Sequence, residues 1–407
     1  MLPPVSKSDA IRALILRYIR RENLDFPAPP HCTDVEDAIG ALQQLESDRE
    51  EVVISIRLGA APLRFVVALA VVTPGRRIAV DARPALRARP LGELVEALRR
   101  GLSGHGLKIR ANEWPLRIDT TNLQLPHSPS FSVEPTSSQY PSALALAGAE
   151  VVRNRGCVSA IVEMLGESVS TGYLDLTIRW MRSAGFDVEQ DKNSLRINGF
   201  SPVEWVPRIP RDWSAVAYLL AWAWKSGAAV DIGSMESHPD AAVVPILRRA
   251  GLDVELSGDL IRVAGELTSA LDADAAKHPD LVPTLAVLAL AAPVPSRFDN
   301  VEVLRHKESD RLQFILDLVG WAGGKADLSA DRLTISPPSS FPRRIFIKTE
   351  DDHRRAMAGS ILAAVCGAEV FVDDPDCVDK SFPGYWDEIM KCGAIIETAS
   401  GGGYTAL

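Results

Sequence analysis

The chain has 407 residues, 46% hydrophobic and 24% charged, with a formal net charge of −9. That length holds two domains with ample core, and the composition is ordinary for a folded protein. The acidic balance argues against nucleic acid or an anionic membrane as the main partner, so an anionic ligand must be held by a local basic cluster.

The N-terminus shows no charged stretch followed by an apolar run, so no signal peptide is expected. The five cysteines form no Cys-x-x-Cys pair, and His and Cys show no zinc-ligand spacing, which fits a reduced cytoplasm and no metal. The apolar stretch 281–293 is too short to span a membrane.

In chain order, one phrase recurs: an amphipathic helix closed by Gly, a short strand, a polar turn and a second strand. Residues 38–45 followed by 51–56 read as a degraded copy. The helix ending Leu98-Arg99-Arg100-Gly101 opens another. Trp180-Met181-Arg182-Ser183-Ala184-Gly185 is followed by Phe186-Asp187-Val188, a turn at Asp191-Lys192-Asn193 and Leu195-Arg196-Ile197. Residues 198–210 hold three prolines and mark a domain boundary. Leu247-Arg248-Arg249-Ala250-Gly251 leads into Leu252-Asp253-Val254, Ser257-Gly258-Asp259 and Leu260-Ile261-Arg262-Val263. Further copies start at Trp321-Ala322-Gly323 and Met390-Lys391-Cys392-Gly393. In each, Gly closes the helix and the turn pairs the strands. The copies lie about 60–90 residues apart, longer than solenoid repeats, so each holds further elements. A βαβαββ unit fits, and six such units suit two similar domains of three.

His306-Lys307-Glu308-Ser309-Asp310-Arg311-Leu312 packs cations and carboxylates at the start of an apolar-periodic run. On a helix, Lys307 and Arg311 would share one face with Glu308 one position round, and could hold an anion beside a proton donor. A solvated, salt-bridged first turn is the plainer alternative. Asp351-Asp352-His353-Arg354-Arg355 is expected to open another helix. Asp376-Cys377-Val378-Asp379-Lys380-Ser381-Phe382 follows.

Several segments stand in a telling order: Ser6-Lys7-Ser8 with Arg12, Arg87-Ala88-Arg89-Pro90-Leu91-Gly92, Ser137-Ser138-Gln139 and Ser170-Thr171-Gly172-Tyr173. Then come Asp212-Trp213-Ser214 with Tyr218, Pro279-Asp280, Lys307-Glu308-Ser309-Asp310-Arg311, Asp352-His353-Arg354 and Lys380-Ser381-Phe382-Pro383. Singly each is weak. Together they resemble the enolpyruvyl transferase family, in its 5-enolpyruvylshikimate-3-phosphate synthase branch, over nearly the whole chain.

The resemblance implies an α/β (α+β) fold of two similar domains, each of three βαβαββ units, with the active site in the interdomain cleft. The expected domains are residues 7–207 and residues 1–6 with 208–407. It implies transfer of the enolpyruvyl group of phosphoenolpyruvate to the 5-hydroxyl of shikimate 3-phosphate. No cofactor, metal, nucleic acid or membrane is expected, and the expected state is a cytoplasmic monomer.

Such chemistry needs a base, an acid and cations for phosphate and carboxylate. By the resemblance, Arg89, Arg311, Arg354 and Lys380 hold phosphoenolpyruvate. Ser137, Ser138 and Ser170 hold the shikimate phosphate, and Ser8, Arg12, Gln139 and Tyr173 orient the ring. Asp280 takes the hydroxyl proton, and Lys307 contacts Asp280 or the substrate hydroxyls. Lys7 and Glu308 handle proton transfer at the enol carbon. Taken alone, Asp280 reads equally well as a helix N-cap.

The pattern breaks at Arg57-Leu58-Gly59-Ala60-Ala61-Pro62-Leu63-Arg64. Aligned on Arg64, Leu58 replaces the family's Asn, Ala60 its tight Gly and Ala61 its Thr, in a loop that touches phosphoenolpyruvate. Pro62 also removes an N–H. Ala10 stands for Ser and Val303 for Asn or His, and most of a further N-terminal strand before Lys7 is absent. The resemblance implies glyphosate as an inhibitor of the phosphoenolpyruvate site, and Ala60 implies tolerance of it. Two readings stay beside the leading one: an enolpyruvyl transferase with another acceptor, and a non-catalytic anion-binding paralogue.

Overall fold

The structure is a computed structural model and describes residues 1–23, 31–111, 113–166, 171–233, 238–398 and 404–406. The chain divides into two compact units, Lys7–Ile209 and Met1–Ser6 with Pro210–Leu407. Each has its own hydrophobic core, drawn from residues 10–197 in the first and 213–394 in the second.

The first unit opens with helices α1 (Lys7–Arg20) and α2 (Thr33–Glu46). Strand β1 (Glu51–Ile56) alternates exposed and buried residues, so Val52, Ile54 and Ile56 enter the core. After it come α3 (Ala60–Val71), β2 (Arg77–Ala82), α4 (Pro84–Arg87), α5 (Gly92–Gly101), β3 (Lys108–Arg110) and β4 (Leu116–Asp119). They form a sheet of order β1-β2-β4-β3 in which β1 and β2 run parallel and the others antiparallel. Residues 62–71 of α3 are all buried, because α2, α5 and the later helix α6 (Gln139–Asn154) pack around this helix.

The same design repeats with β5 (Ser130–Val133), α6 (Gln139–Asn154), β6 (Ala160–Met164), α7 (Thr171–Ser183), β7 (Phe186–Gln190) and β8 (Ser194–Phe200), in the order β5-β6-β8-β7. Each sheet is therefore a βαβαββ unit. Among the described residues, α1 and α2 bring no strands of their own.

The second unit starts with α8 (Trp213–Ser226), β9 (Val230–Asp231), α9 (Val243–Arg249), β10 (Asp253–Ser257) and β11 (Leu260–Ala264), in a three-stranded sheet. Two complete βαβαββ units follow. One is β12 (Ala273–Asp274), α10 (Val282–Ala289), β13 (Ser296–Asp299), α11 (Arg311–Trp321), β14 (Lys325–Ser329) and β15 (Arg332–Ser336). The other is β16 (Arg344–Ile347), α12 (His353–Cys366), β17 (Glu369–Val372), α13 (Tyr385–Met390), β18 (Ile396–Thr398) and β19 (Tyr404–Ala406). Among the described residues no helix is long and apolar enough to cross a membrane.

The helix–Gly–strand–turn–strand phrase is present at α7, α9 and α11, and α13 is likewise followed by Gly and two paired strands; Gly185, Gly251, Gly323 and Gly393 take positive φ. Three expectations need correction. Gly101 is the last residue of α5, and the positive φ falls at Gly104 and Gly106. Gly101 is small for another reason: a Cβ there would lie 2.5 Å from the carbonyl oxygen of Ser130 and 2.6 Å from the Phe131 ring. Residues 38–56 are not a sixth copy, because β1 pairs parallel with β2 instead of closing a hairpin. Lys307 and Glu308 precede α11 instead of lying on it. The N-cap is Asp310, whose carboxylate accepts from Gln313 N at 2.9 Å and so starts the helix at Arg311.

Candidate active site

In the second unit, three helix-edge segments converge on Arg311. The guanidinium is 1% exposed and each of its nitrogens meets an acid. Nη1 donates to Asp280 Oδ1 at 2.8 Å, Nε to Asp352 Oδ2 at 2.9 Å, and Nη2 to the carboxylate of Glu308. Asp352 is fixed in turn: it caps α12 by accepting from Arg354 N at 2.9 Å, and Ser309 Oγ donates to it at 2.9 Å. Arg354 lies 3.1 Å from Asp280 Oδ2 through Nη2 and donates to the Asp280 carbonyl at 3.3 Å. Lys380 closes the 3-10 turn Pro375–Lys380 and sits 4.0 Å from Glu308 Oε1.

Three acids and three cations thus share one buried network, in which charge-assisted bonds are strong and hold their partners' geometry. Burial alone would raise the Asp280 pKa. The charges of Arg354, Arg311 and Lys307 outweigh it and hold the carboxyl well below its usual range. Arg311 shows the converse: burial lowers its pKa, and Asp352, Glu308 and Asp280 more than reverse that. Asp280 is no N-cap here; its carboxylate faces the two arginines. Arg311, expected as a ligand for phosphoenolpyruvate, is also what holds Asp280 and Glu308 in place.

In the first unit, Lys7 starts α1 and its Nζ lies 2.9 Å from Asp34 Oδ2. Arg12 on the same helix gives its Nε to Thr177 Oγ1 at 2.8 Å, Nη1 to the Ser8 carbonyl at 2.8 Å and Nη2 to the Tyr173 carbonyl at 3.2 Å. Burial pushes the Arg12 pKa down to about 10 against the opposing pull of Asp9. Arg12, Ser8 and Tyr173 therefore come together, with Arg12 tying two backbone segments.

Ser137 and Ser138 precede the 16-residue helix α6, and Ser138 occupies its N-cap without using its hydroxyl to cap. Arg64 of α3 donates to Gln139 Oε1 at 2.6 Å, to Ser137 Oγ at 3.4 Å and to the Pro90 carbonyl at 2.7 Å. A buried guanidinium beside a helix N-terminus and two serines is a good anion receptor. Arg89 is half-buried next to Pro90. Ser170 lies outside the described residues.

The roles of Asp34, Arg64 and Asp352 were missed by motif reading. Asp34 and Asp352 look like ordinary acids at helix starts, and Arg64 stands in an otherwise apolar run. A charge in such a run was the available signal. A separate cavity of about 500 Å³ in the second unit, lined by residues including Arg249, Asp274, His278, Arg297 and Arg332, contains none of the site residues.

The chain is similar to known proteins along most of its length. Residues 2–389 match the family model of EPSP synthase (3-phosphoshikimate 1-carboxyvinyltransferase). The chain is 30% identical over 383 residues to the 3-phosphoshikimate 1-carboxyvinyltransferase of Methanothrix thermoacetophila, covering 89% of this chain and 87% of that one. It is 29% identical over 343 residues to the Methanopyrus kandleri protein of the same name, covering 83% and 77%. The EPSP synthase structure from Acinetobacter baumannii has the same fold, with a TM-score of 0.72 at 18% identity over 96% of this chain and 95% of that one. With acids, guanidinium groups and helix ends so placed, and with that match running nearly end to end, the chain belongs to the EPSP synthase family.

Proposed function

We propose that the protein transfers the enolpyruvyl group of phosphoenolpyruvate to the 5-hydroxyl of shikimate 3-phosphate and releases phosphate. The family match across residues 2–389 carries the reading. In this scheme the hydroxyl oxygen adds to C2 of the enol phosphate while C3 takes a proton. Phosphate then leaves as C3 returns a proton, giving the enol ether. Asp280 would accept the hydroxyl proton, and Lys7 and Glu308 would exchange the proton at C3.

Arg311, Arg354 and Lys380, with Arg89, would receive phosphoenolpyruvate. Ser137, Ser138 and Ser170 would receive the shikimate phosphate, supported by Arg64 and the head of α6. Ser8, Gln139 and Tyr173 would set the ring, with Arg12 holding their segments. Without ligand, Asp280 is a weak base because Arg354, Arg311 and Lys307 depress its pKa. A substrate anion that draws these cations away would restore its basicity and so couple binding to proton transfer. The proposal includes a cytoplasmic monomer acting on small molecules. The formal charge of −9 supports small molecules over nucleic acid as partners, and an odd number of cysteines with no Cys-x-x-Cys pair supports a reduced compartment.

The test is to incubate the protein with both substrates and follow phosphate and the enolpyruvyl product. Phosphoenolpyruvate left intact would exclude this acceptor. Glu308→Gln keeps shape and removes the titrating group, so turnover should fall by a factor on the order of 10²–10⁴ with shikimate 3-phosphate binding kept. Parent-like turnover would remove Glu308 from the acid–base role.

A further inference from the structure

Helix α3 begins with an anion cradle that the chain itself has filled. The backbone N–H groups of Arg57, Leu58 and Gly59 all donate to one oxygen, Oδ2 of Asp37, at 2.9, 3.1 and 3.4 Å. Arg57 Nε donates to Asp37 Oδ1 at 2.7 Å. Asp37 is 4% exposed, and beside it the more exposed Glu36 of α2 accepts from Arg57 Nη2 at 2.7 Å. Successive N–H groups at the start of a helix collect negative charge. Here the charge is a built-in carboxylate.

The neighbours make the position consequential. Asp37 lies one turn after Asp34 on α2, and Asp34 holds Lys7. At Gly59 an added Cβ would lie 3.2 Å from Asp34 Oδ1 and 2.7 Å from Pro62 Cγ, so Asp34, the loop and Pro62 are in close packing. One turn further along α3 is Arg64, bonded to Ser137 and Gln139. Asp37 thus ties α2 to the start of α3, and with it Lys7 on one side and Arg64 on the other.

We infer that Asp37 is a positioning residue, an internal anion that fixes the backbone of 57–59 and sets Lys7 and Arg64 for substrate. It also closes those three amides to any anionic group of a ligand. The assignment of Lys7 and Arg64 to substrate rests on the function proposed above. The filled cradle does not.

Asp37→Ala empties the cradle and keeps its donors. Its kcat/KM for phosphoenolpyruvate should fall by about 10–100-fold, because three successive N–H groups lose their acceptor and Arg57 keeps only the exposed Glu36 of its two acids. Added formate, a carboxylate small enough for the vacated space, should restore much of that loss and raise the variant's Tm, with neither effect on the parent. Parent-like kcat/KM overturns the proposal, and so does a loss that formate repairs in neither rate nor Tm. If the parent itself does not turn over the two substrates, the function reading fails, and the formate-dependent Tm alone decides the cradle. If Asp37→Ala does not fold, Asp37→Asn replaces it. This variant retains an acceptor oxygen but removes the buried charge at 57–59 while the exposed Glu36 stays on Arg57, so parent-like Tm and kcat/KM overturn the proposal, and a fall in both supports it.

Discussion

At Asp280, burial and charge act in opposite directions, and charge prevails. The side chain is about a fifth exposed, yet Arg354, Arg311 and Lys307 hold its pKa below the carboxylate range. The folded pKa therefore lies under the unfolded value of about 3.9. The stabilisation is complete above that unfolded value and is lost as pH falls toward the folded pKa. Asp280→Asn should show this directly. Urea midpoints of parent and variant should differ near neutral pH, and the gap should shrink below about pH 4, where Asp280 of the unfolded parent takes up a proton that the folded state still excludes. A gap that stays constant across that range would mean that packing, not charge, is the source. Motif order alone singled out Asp280, Glu308, Arg311, Arg354 and Lys380. The partnership of Arg311 with three acids could not be read there, because Asp280, Glu308 and Asp352 come from three separate segments.

At the scale of elements, the start of α3 carries the clearest departure from the family pattern. Ala60 is the first residue of the helix and is 6% exposed. A methyl in a tight anion pocket costs about 1–3 kcal/mol for the bulkier ligand, or roughly one to two decades in affinity. Glyphosate is longer than phosphoenolpyruvate, so the parent should tolerate it. Ala60→Gly should tighten glyphosate inhibition by about that margin while changing KM for phosphoenolpyruvate less. Equal inhibition constants for parent and variant would place the decisive contact elsewhere. Helix ends explain other outcomes at this scale. Asp310 and Asp352 cap α11 and α12, and these caps fix where Arg311 and Arg354 stand. The charge run at 306–311 suggested a helix already under way at Lys307. The cap at Asp310 delays it, which leaves Glu308 free to turn back onto Arg311.

For the whole molecule, the two core clusters are drawn from separate stretches of chain, 10–197 and 213–394. A fragment of residues 7–209 should therefore fold alone and unfold cooperatively in urea, as a domain with its own core does. A broad, non-cooperative transition in that fragment would show that its core depends on the rest of the chain. The sequence by itself determined the family and the helix–Gly–strand phrase and singled out the charged residues that gather around Arg311, since helix closure by Gly, strand–turn–strand patterning and ordered motifs are local properties. It also singled out the 57–64 loop as unusual. Only the tertiary structure decided that Gly101 is small to admit β5, that β1 is a parallel partner of β2, and that α1 and α2 carry no described strands. It alone assembled Asp280, Glu308 and Asp352 around Arg311 and seated Asp37 on the amides of 57–59. The physical reason is common to nearly all of these. Apart from Glu308, three residues before Arg311, they depend on contacts between residues 20 or more positions apart or on the choice of strand partner. Such choices are set by packing and charge in three dimensions, and local spacing does not encode them.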